Sequence, residues 1–326
     1  MTISHDREAT FGRRHYHELD GIRGLLAFAV VLLHFGVNGL IERLTGWPGM
    51  VLSLSVDVFF LLSGFVLVKS AHGSPTAFAV KRVWRLAPVY LFTLALVWLA
   101  DPHLVTSISE LIKAPPLFGL DTANYLAWSI CWELYLPVLA VLLAPYVSLP
   151  WRVVLPIALV VHSGLAVGVA EGHMLGGWRA AAGLAAGACL AFVKPRSIPV
   201  PLVVAALLAV MALAARWPLV AALTPWLAAL AIIGGARRDG LFALPPFQFA
   251  GAISFSIYML HAPVLIALGD RAAGSIPWKV AGFVVSVAGA WAMTRWVELP
   301  GMRLGRRLAT RVERRGSGDK VQGDST

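Results

Sequence analysis

Two side chains that do not belong in lipid, Arg23 and His34, sit in one apolar stretch, LDGIRGLLAFAVVLLHF, from Leu19 to Phe35. They are eleven positions apart. Eleven steps of about 100° amount to three turns plus roughly 20°, so on an unbroken helix both project from one face. At 1.5 Å per residue they stand about 16 Å apart along the axis. One face of a buried helix then carries a fixed cation near one end and a proton acceptor near the other. Ionisable residues inside a membrane segment mark a functional site by default. Taken alone, the pair has another reading: Arg23 snorkels to headgroups and His34 is a satisfied core imidazole.

Other polar groups recur along apolar runs. Asp57, in SVDVFFLLSGF, either caps its helix N-terminus or faces a cavity. In KRVWRLAP, Lys81 and Arg85 are i, i+4 and Arg82 and Arg85 are i, i+3, one cationic patch. The patch is either a membrane-surface anchor or a docking site for an anionic ligand, since guanidinium bonds phosphate bidentately. WSICWEL places Ser129 and Glu133 on one helical face. A carboxyl at that depth must be protonated, paired or facing water. ISFSIYMLHAPV sets Ser254, Tyr258 and His261 at i, i+4, i+7, a polar stripe that reads as a cavity wall. His162 and His173 have no such company. Arg295 and Glu298, in RWVELP, are spaced for an i, i+3 ion pair. Cys131 and Cys189 lie in apolar runs without metal-ligand or disulfide spacing, and no metal site is expected.

The elements that must position these groups are membrane helices. The chain has 326 residues, 58% hydrophobic and 13% charged, with mean hydropathy +0.75. A soluble domain carries about 25% charge, and this composition cannot cover a water-facing surface. The expected fold class is all-α: a polytopic helical bundle of about ten transmembrane spans, near 19–38, 51–68, 88–100, 125–144, 153–170, 179–193, 199–215, 218–234, 247–268 and 280–297. The span at 88–100 is expected to begin earlier, inside the basic segment. Gly183 and Gly187 form a small-xxx-small pair suited to close helix packing.

Net charge is +10, but Lys and Arg lie mostly between apolar segments, where they report orientation rather than nucleic-acid binding. Nineteen fall on one side of the expected topology and six on the other, which puts both termini in the cytoplasm. Arg23 then lies in the cytoplasmic half of the first helix and His34 in the outer half. The domains follow: residues 1–18 a cytoplasmic tail, 19–300 the membrane domain, 301–326 a basic cytoplasmic tail without an apolar face, helical at first and then disordered. No signal peptide is evident.

Six blocks in order carry a family likeness: LDGIRGLLAFAVVLLHF, SVDVFFLLSGF, KRVWRLAP, WSICWEL, ISFSIYMLHAPV and VELP. The chain resembles the integral-membrane acyltransferase-3 family, which O-acylates sugars, envelope polysaccharides and some secreted small molecules. The most diagnostic feature is a basic residue, ten intervening residues, then histidine, met by Arg23 and His34. The resemblance implies a catalytic role for His34 and a donor role for Arg23. Arg82 and Arg85 match the family's cytoplasmic-side arginine motif, linked to donor binding. Glu133, Tyr258 and His261 become site candidates. Leu134 and Tyr135 stand where members often carry further polar and aromatic residues, a departure that bears on the acceptor.

The expected function is a membrane O-acyltransferase in a bacterial-type cytoplasmic (inner) membrane. It takes an acyl group, acetyl in the usual case, from cytosolic acyl-CoA to a hydroxyl of a carbohydrate, polysaccharide or lipid-linked sugar. No permanently bound cofactor and no nucleic-acid partner are expected. His34 would be general base, worth about 10²–10⁴-fold, with Glu133 or His261 orienting it. Arg23, Arg82 and Arg85 would hold the donor. Asp57, Ser129, Ser254, Tyr258 and His261 would line the cavity or the acceptor side. A covalent relay through an acyl-histidine or acyl-serine is an open alternative. A proton-coupled transporter or flippase is the competing class; no inverted repeat or paired broken helices favour it. The outer loop near 101–124 is where acceptor choice is expected.

Overall fold

A computed structural model describes residues 16–70, 73–104, 128–143, 146, 150–173, 175–237, 239–271 and 275–323, with side chains as far as Arg314. Among them all regular structure is helical and there is no strand. The α-helices are α1 His17–His34, α2 Val37–Thr45, α3 Ser55–Ser70, α4 Pro75–Ala100, α5 Trp128–Leu143, α6 Trp151–Ala170, α7 Gly176–Leu190, α8 Val200–Ala214, α9 Thr224–Gly235, α10 Pro245–Leu268, α11 Ile276–Met293 and α12 Leu299–Gly323. A π turn, Thr294–Glu298, joins α11 to α12.

Each expected apolar segment falls largely on one of these helices. Among the described residues six helical stretches are long and apolar enough to cross a membrane, and α1 with α2, bent by 73°, makes a seventh if the pair is one span. Ten spans are therefore more than length and composition support. The difference lies in α5, α7 and α8, of 16, 15 and 15 residues. Sixteen residues of helix reach about 24 Å, short of a hydrocarbon core of about 30 Å.

Local chemistry sets the ends that matter. Ser74 caps α4, its Oγ accepting from the Ala77 N–H at 3.2 Å, with Pro75 in the first turn. So α4 starts thirteen residues before the expected span, and Lys81, Arg82 and Arg85 ride on a membrane-length helix. Gly36, at φ 80°, ends α1 immediately beyond His34 and turns the chain into α2. The outer loop lies outside the described residues from 105 onward, as does the N-terminal tail through residue 15.

Close packing is written in glycines. A Cβ on Gly24 of α1 would meet the Ala250 carbonyl carbon of α10 at 2.5 Å, so only glycine lets these helices approach so closely. The pair α1 and α10 makes the most extensive helix contact. The second is α3 with α7, where Gly183 and Gly187 lie against Phe60 and Leu61. Large apolar side chains such as Val160, Leu202 and Trp296 are exposed on outer faces, as a lipid-facing surface requires.

Two expectations at the C-terminal end give way. Arg295 is exposed and Glu298 is fully buried, accepting from Ser256 Oγ at 2.9 Å instead of pairing with Arg295. The wide π turn breaks the α-helical i, i+3 register on which that pair depended. Residues 299–323 are helical throughout, and Gly301, Met302, Gly305 and Ala309 form a buried stripe against α4. Gly305 allows this: a Cβ there would come within 2.5 Å of the Trp84 Cβ.

Candidate functional site

A cavity of about 720 Å³ lies among α1, α3, α4, α5, α10 and α12. It reaches the surface at Lys69 and Ser70, both exposed at the end of α3. Its depth is apolar, with Val56, Phe59, Leu62, Leu86 and Phe255 among the walls.

Its polar groups are placed by helix pairs. Arg82, on α4, donates through Nε to the Glu133 carbonyl of α5 at 2.8 Å and through Nη2 to the Glu133 carboxylate at 2.9 Å. Ser63 of α3 donates to the other carboxylate oxygen at 3.1 Å. Three helices thus meet at one carboxylate. The pair is mostly buried, with side-chain exposures of 9% and 16%. Arg23 is held from two sides: Asp20, one turn back, at 2.6 Å, and Ser254 Oγ of α10, which accepts from Arg23 Nε at 3.1 Å. Ser254 in turn donates to the Gly251 carbonyl at 2.8 Å. Ser129 and Tyr258 share a hydrogen bond of 3.0 Å between α5 and α10.

The histidines lie past this cavity. His34 Nδ1 and His261 Nε2 are 3.3 Å apart, at the same α1–α10 interface that holds Arg23 to Ser254. Arg23 and His34 therefore both face α10 from one side of an unbroken α1. The residues that line the cavity include Arg23, Ser254 and Tyr258 but neither histidine. Tyr258 stands between, its ring 5.9 Å from that of His261.

Arginines and apolar side chains line the cavity, and a histidine pair stands beside it. The family sequence model for an acyltransferase domain, acyltransferase 3, matches residues 16–295. The chain belongs to the acyltransferase-3 family. No curated protein and no solved structure matches it. The family and the apolar helices together make it a multi-pass membrane protein of acyl-transferring type.

Within this acyltransferase-3 chain the candidate residues fall into three places. Arg23, Arg82, Arg85, Ser129, Glu133, Ser254 and Tyr258 meet at the cavity. His34 and His261 pair beyond it. Asp57 is at neither. It is fully buried, its carboxylate accepting from Arg179 Nη2 at 2.7 Å and Nε at 3.0 Å and facing His162 Nε2 at 2.8 Å. This fastens α3 to α6 and α7, which is a packing task and not one of lining the cavity. Glu133 does not reach the histidines; its oxygens are taken by Arg82 and Ser63.

Sequence reasoning passed over His162 and read Arg179 as a loop charge, yet both are buried beside Asp57. No local spacing shows that triad, because its members come from three helices and Asp57 is more than a hundred residues from the other two in sequence. Asp20 had a signal: it is i, i+3 to Arg23. Lys69 and Arg306 also line the cavity, and Arg306 comes from a segment read as a tail.

Proposed function

We propose that this chain is a membrane O-acyltransferase, in a bacterial-type cytoplasmic membrane, that moves an acyl group from cytosolic acyl-CoA to a hydroxyl of a carbohydrate or envelope-associated acceptor. Acetyl is the expected group. The observation that carries the reading is that Arg23 and His34 lean on one partner helix, Arg23 at a cationic cavity and His34 beside a second imidazole.

The arrangement supports a division of labour. Arg82, Arg85 and Arg23 hold donor phosphates, for which bidentate guanidinium is suited. The pantetheine arm runs along the apolar wall past Tyr258 toward His34, about 16 Å of helix from Arg23. The chemistry is then one exchange. His34 takes the proton of the acceptor hydroxyl. The freed oxygen bonds to the thioester carbonyl carbon, the C–S bond breaks, and the CoA thiolate recovers a proton from the imidazolium. General base catalysis of this kind contributes about 10²–10⁴-fold. Holding the two substrates in one passage contributes by orientation.

The test uses membranes containing the full chain, labelled acetyl-CoA and a lipid-linked sugar or glycan acceptor. Label in an alkali-labile ester on the acceptor is the expected result. Membranes that bind the acceptor yet leave all label in acetyl-CoA, across a panel of sugar acceptors, would overturn it.

A further inference from the structure

We infer that α12 forms a wall of the donor cavity and that Arg306 binds a phosphate of the acyl-CoA donor. The inference rests on the acyl-CoA reading above and assigns it a residue beyond Arg295, where the family match ends.

The position of α12 is built, not incidental. Gly301 and Gly305 bring its backbone onto Trp84 and Pro88 of α4, and a Cβ on Gly301 would stand 2.9 Å from the Pro88 Cγ. Arg85 Nη1 reaches Met302 Sδ at 3.7 Å, so a donor-side arginine rests on α12 directly. Further along, the Glu313 carboxylate lies against Gly73, where the chain enters α4. These contacts hold one face of α12 against the mouth of the cavity.

That face carries Met302 and Arg306, and both line the cavity. Among the described side chains of the helix the other arginines, Arg303, Arg307, Arg311 and Arg314, are exposed. Arg306 is half-buried, its Nε donating to the Met302 carbonyl at 3.3 Å. It joins Arg23, Lys69, Lys81, Arg82 and Arg85, against the carboxylates Asp20 and Glu133. Among the described residues the cavity thus holds four more positive charges than negative ones. A concave site with that excess attracts a polyanion and concentrates it. Asp20 pairs with Arg23 and Glu133 with Arg82. Arg306, Lys69 and Lys81 add cations from α12, α3 and α4, which suits a donor whose several phosphates are spread along its length. Phosphate is the chemistry a guanidinium reads best.

The experiment measures equilibrium binding of CoA and of pantetheine, which lacks every phosphate, to the purified full chain. Arg306→Ala should weaken CoA binding about tenfold, the effect of one charge-assisted hydrogen bond, and leave pantetheine binding unchanged. Arg306→Lys should recover part of the loss. Arg307→Ala, one residue along and exposed, should bind CoA as wild type does. In turnover, Arg306→Ala should raise KM for acetyl-CoA with kcat nearly unchanged. Equal losses for Arg306→Ala and Arg307→Ala would reduce the effect to general surface charge and overturn the assignment, as would a loss shared by pantetheine. If CoA binds in an Arg306-dependent way but no acyl group moves, the transfer reading falls and this one stands. If the wild-type chain binds no CoA, both fall.

Discussion

His34 and His261 are joined edge to edge, Nδ1 to Nε2 at 3.3 Å, and each also points its own Nδ1 at the carbonyl four residues back on its helix, Val30 at 2.9 Å and Ile257 at 3.0 Å. A carbonyl can only accept. Both neutral rings therefore carry the proton on Nδ1, and the lone pair of each is on Nε2. The His261 lone pair faces His34 Nδ1–H. On the proposed reaction the atom of His34 that would act as base is Nε2. On the proposed function His261 would be a positioning residue that holds the ring angle of its neighbour, whose tautomer the Val30 carbonyl sets.

Removing the base and removing its support should differ in kind. His34→Ala should lower kcat by about 10²–10⁴-fold with protein level unchanged. His261→Ala should lower kcat by less and leave the KM for acyl-CoA alone, and His261→Gln, which keeps an acceptor near Nδ1–H, should recover part. Steady-state kinetics on membranes decide it. Wild-type kcat in His34→Ala would remove the central role.

On the proposed function the Arg82–Glu133 pair would serve stability and donor binding at once, and the two can be separated. Arg82→Ala strands a mostly buried carboxylate and should cost about 3–5 kcal/mol. The double change Arg82→Met with Glu133→Leu removes both charges and should restore thermal stability in detergent while KM for acyl-CoA stays high. Wild-type KM in the stable double variant would show that Arg82 does not touch the donor.

Asp57→Ala leaves Arg179 without its carboxylate in a site from which water is excluded. The cost should again be about 3–5 kcal/mol, read as a lowered melting temperature. Activity per folded molecule should stay near that of wild type, because the Asp57 side chain is not among those that line the cavity. An unchanged melting temperature with lost turnover would place Asp57 in the chemistry instead.

Tyr258→Phe deletes the bond to Ser129 and keeps the ring between cavity and histidines. Stability should fall by about 0.5–1.5 kcal/mol, with donor binding intact. Tyr258→Ala opens that partition and should admit hydrolysis. Free acetate released from acetyl-CoA without acceptor is the readout, and none above the wild-type level would show that Tyr258 does not shield the site.

Gly24→Val pushes α1 off α10 at their closest approach. Both Arg23–Ser254 and His34–His261 cross that interface, so turnover should collapse together with thermal stability. The same change at Gly39, where an added Cβ meets nothing within 4 Å, should be tolerated in packing terms.

Much of this protein is legible one helix at a time. The apolar runs, the Arg23–His34 spacing and the Ser254–Tyr258–His261 stripe depend on a 3.6-residue period, and each side chain lies on the face that period assigns. The family likeness is legible for the same reason, since its blocks are short and linear. Relations between helices are not periodic in sequence. That Glu133 answers Arg82 and not a histidine, that Asp57 is claimed by Arg179 and His162, and that a basic tail becomes a cavity wall were all decided by which helices meet. The physical cause is the low-dielectric interior: a buried charge must take whatever partner the packing brings within about 3 Å. At the α1–α10, α3–α7 and α4–α12 crossings glycines set how closely the helices meet, through distances no spacing rule encodes.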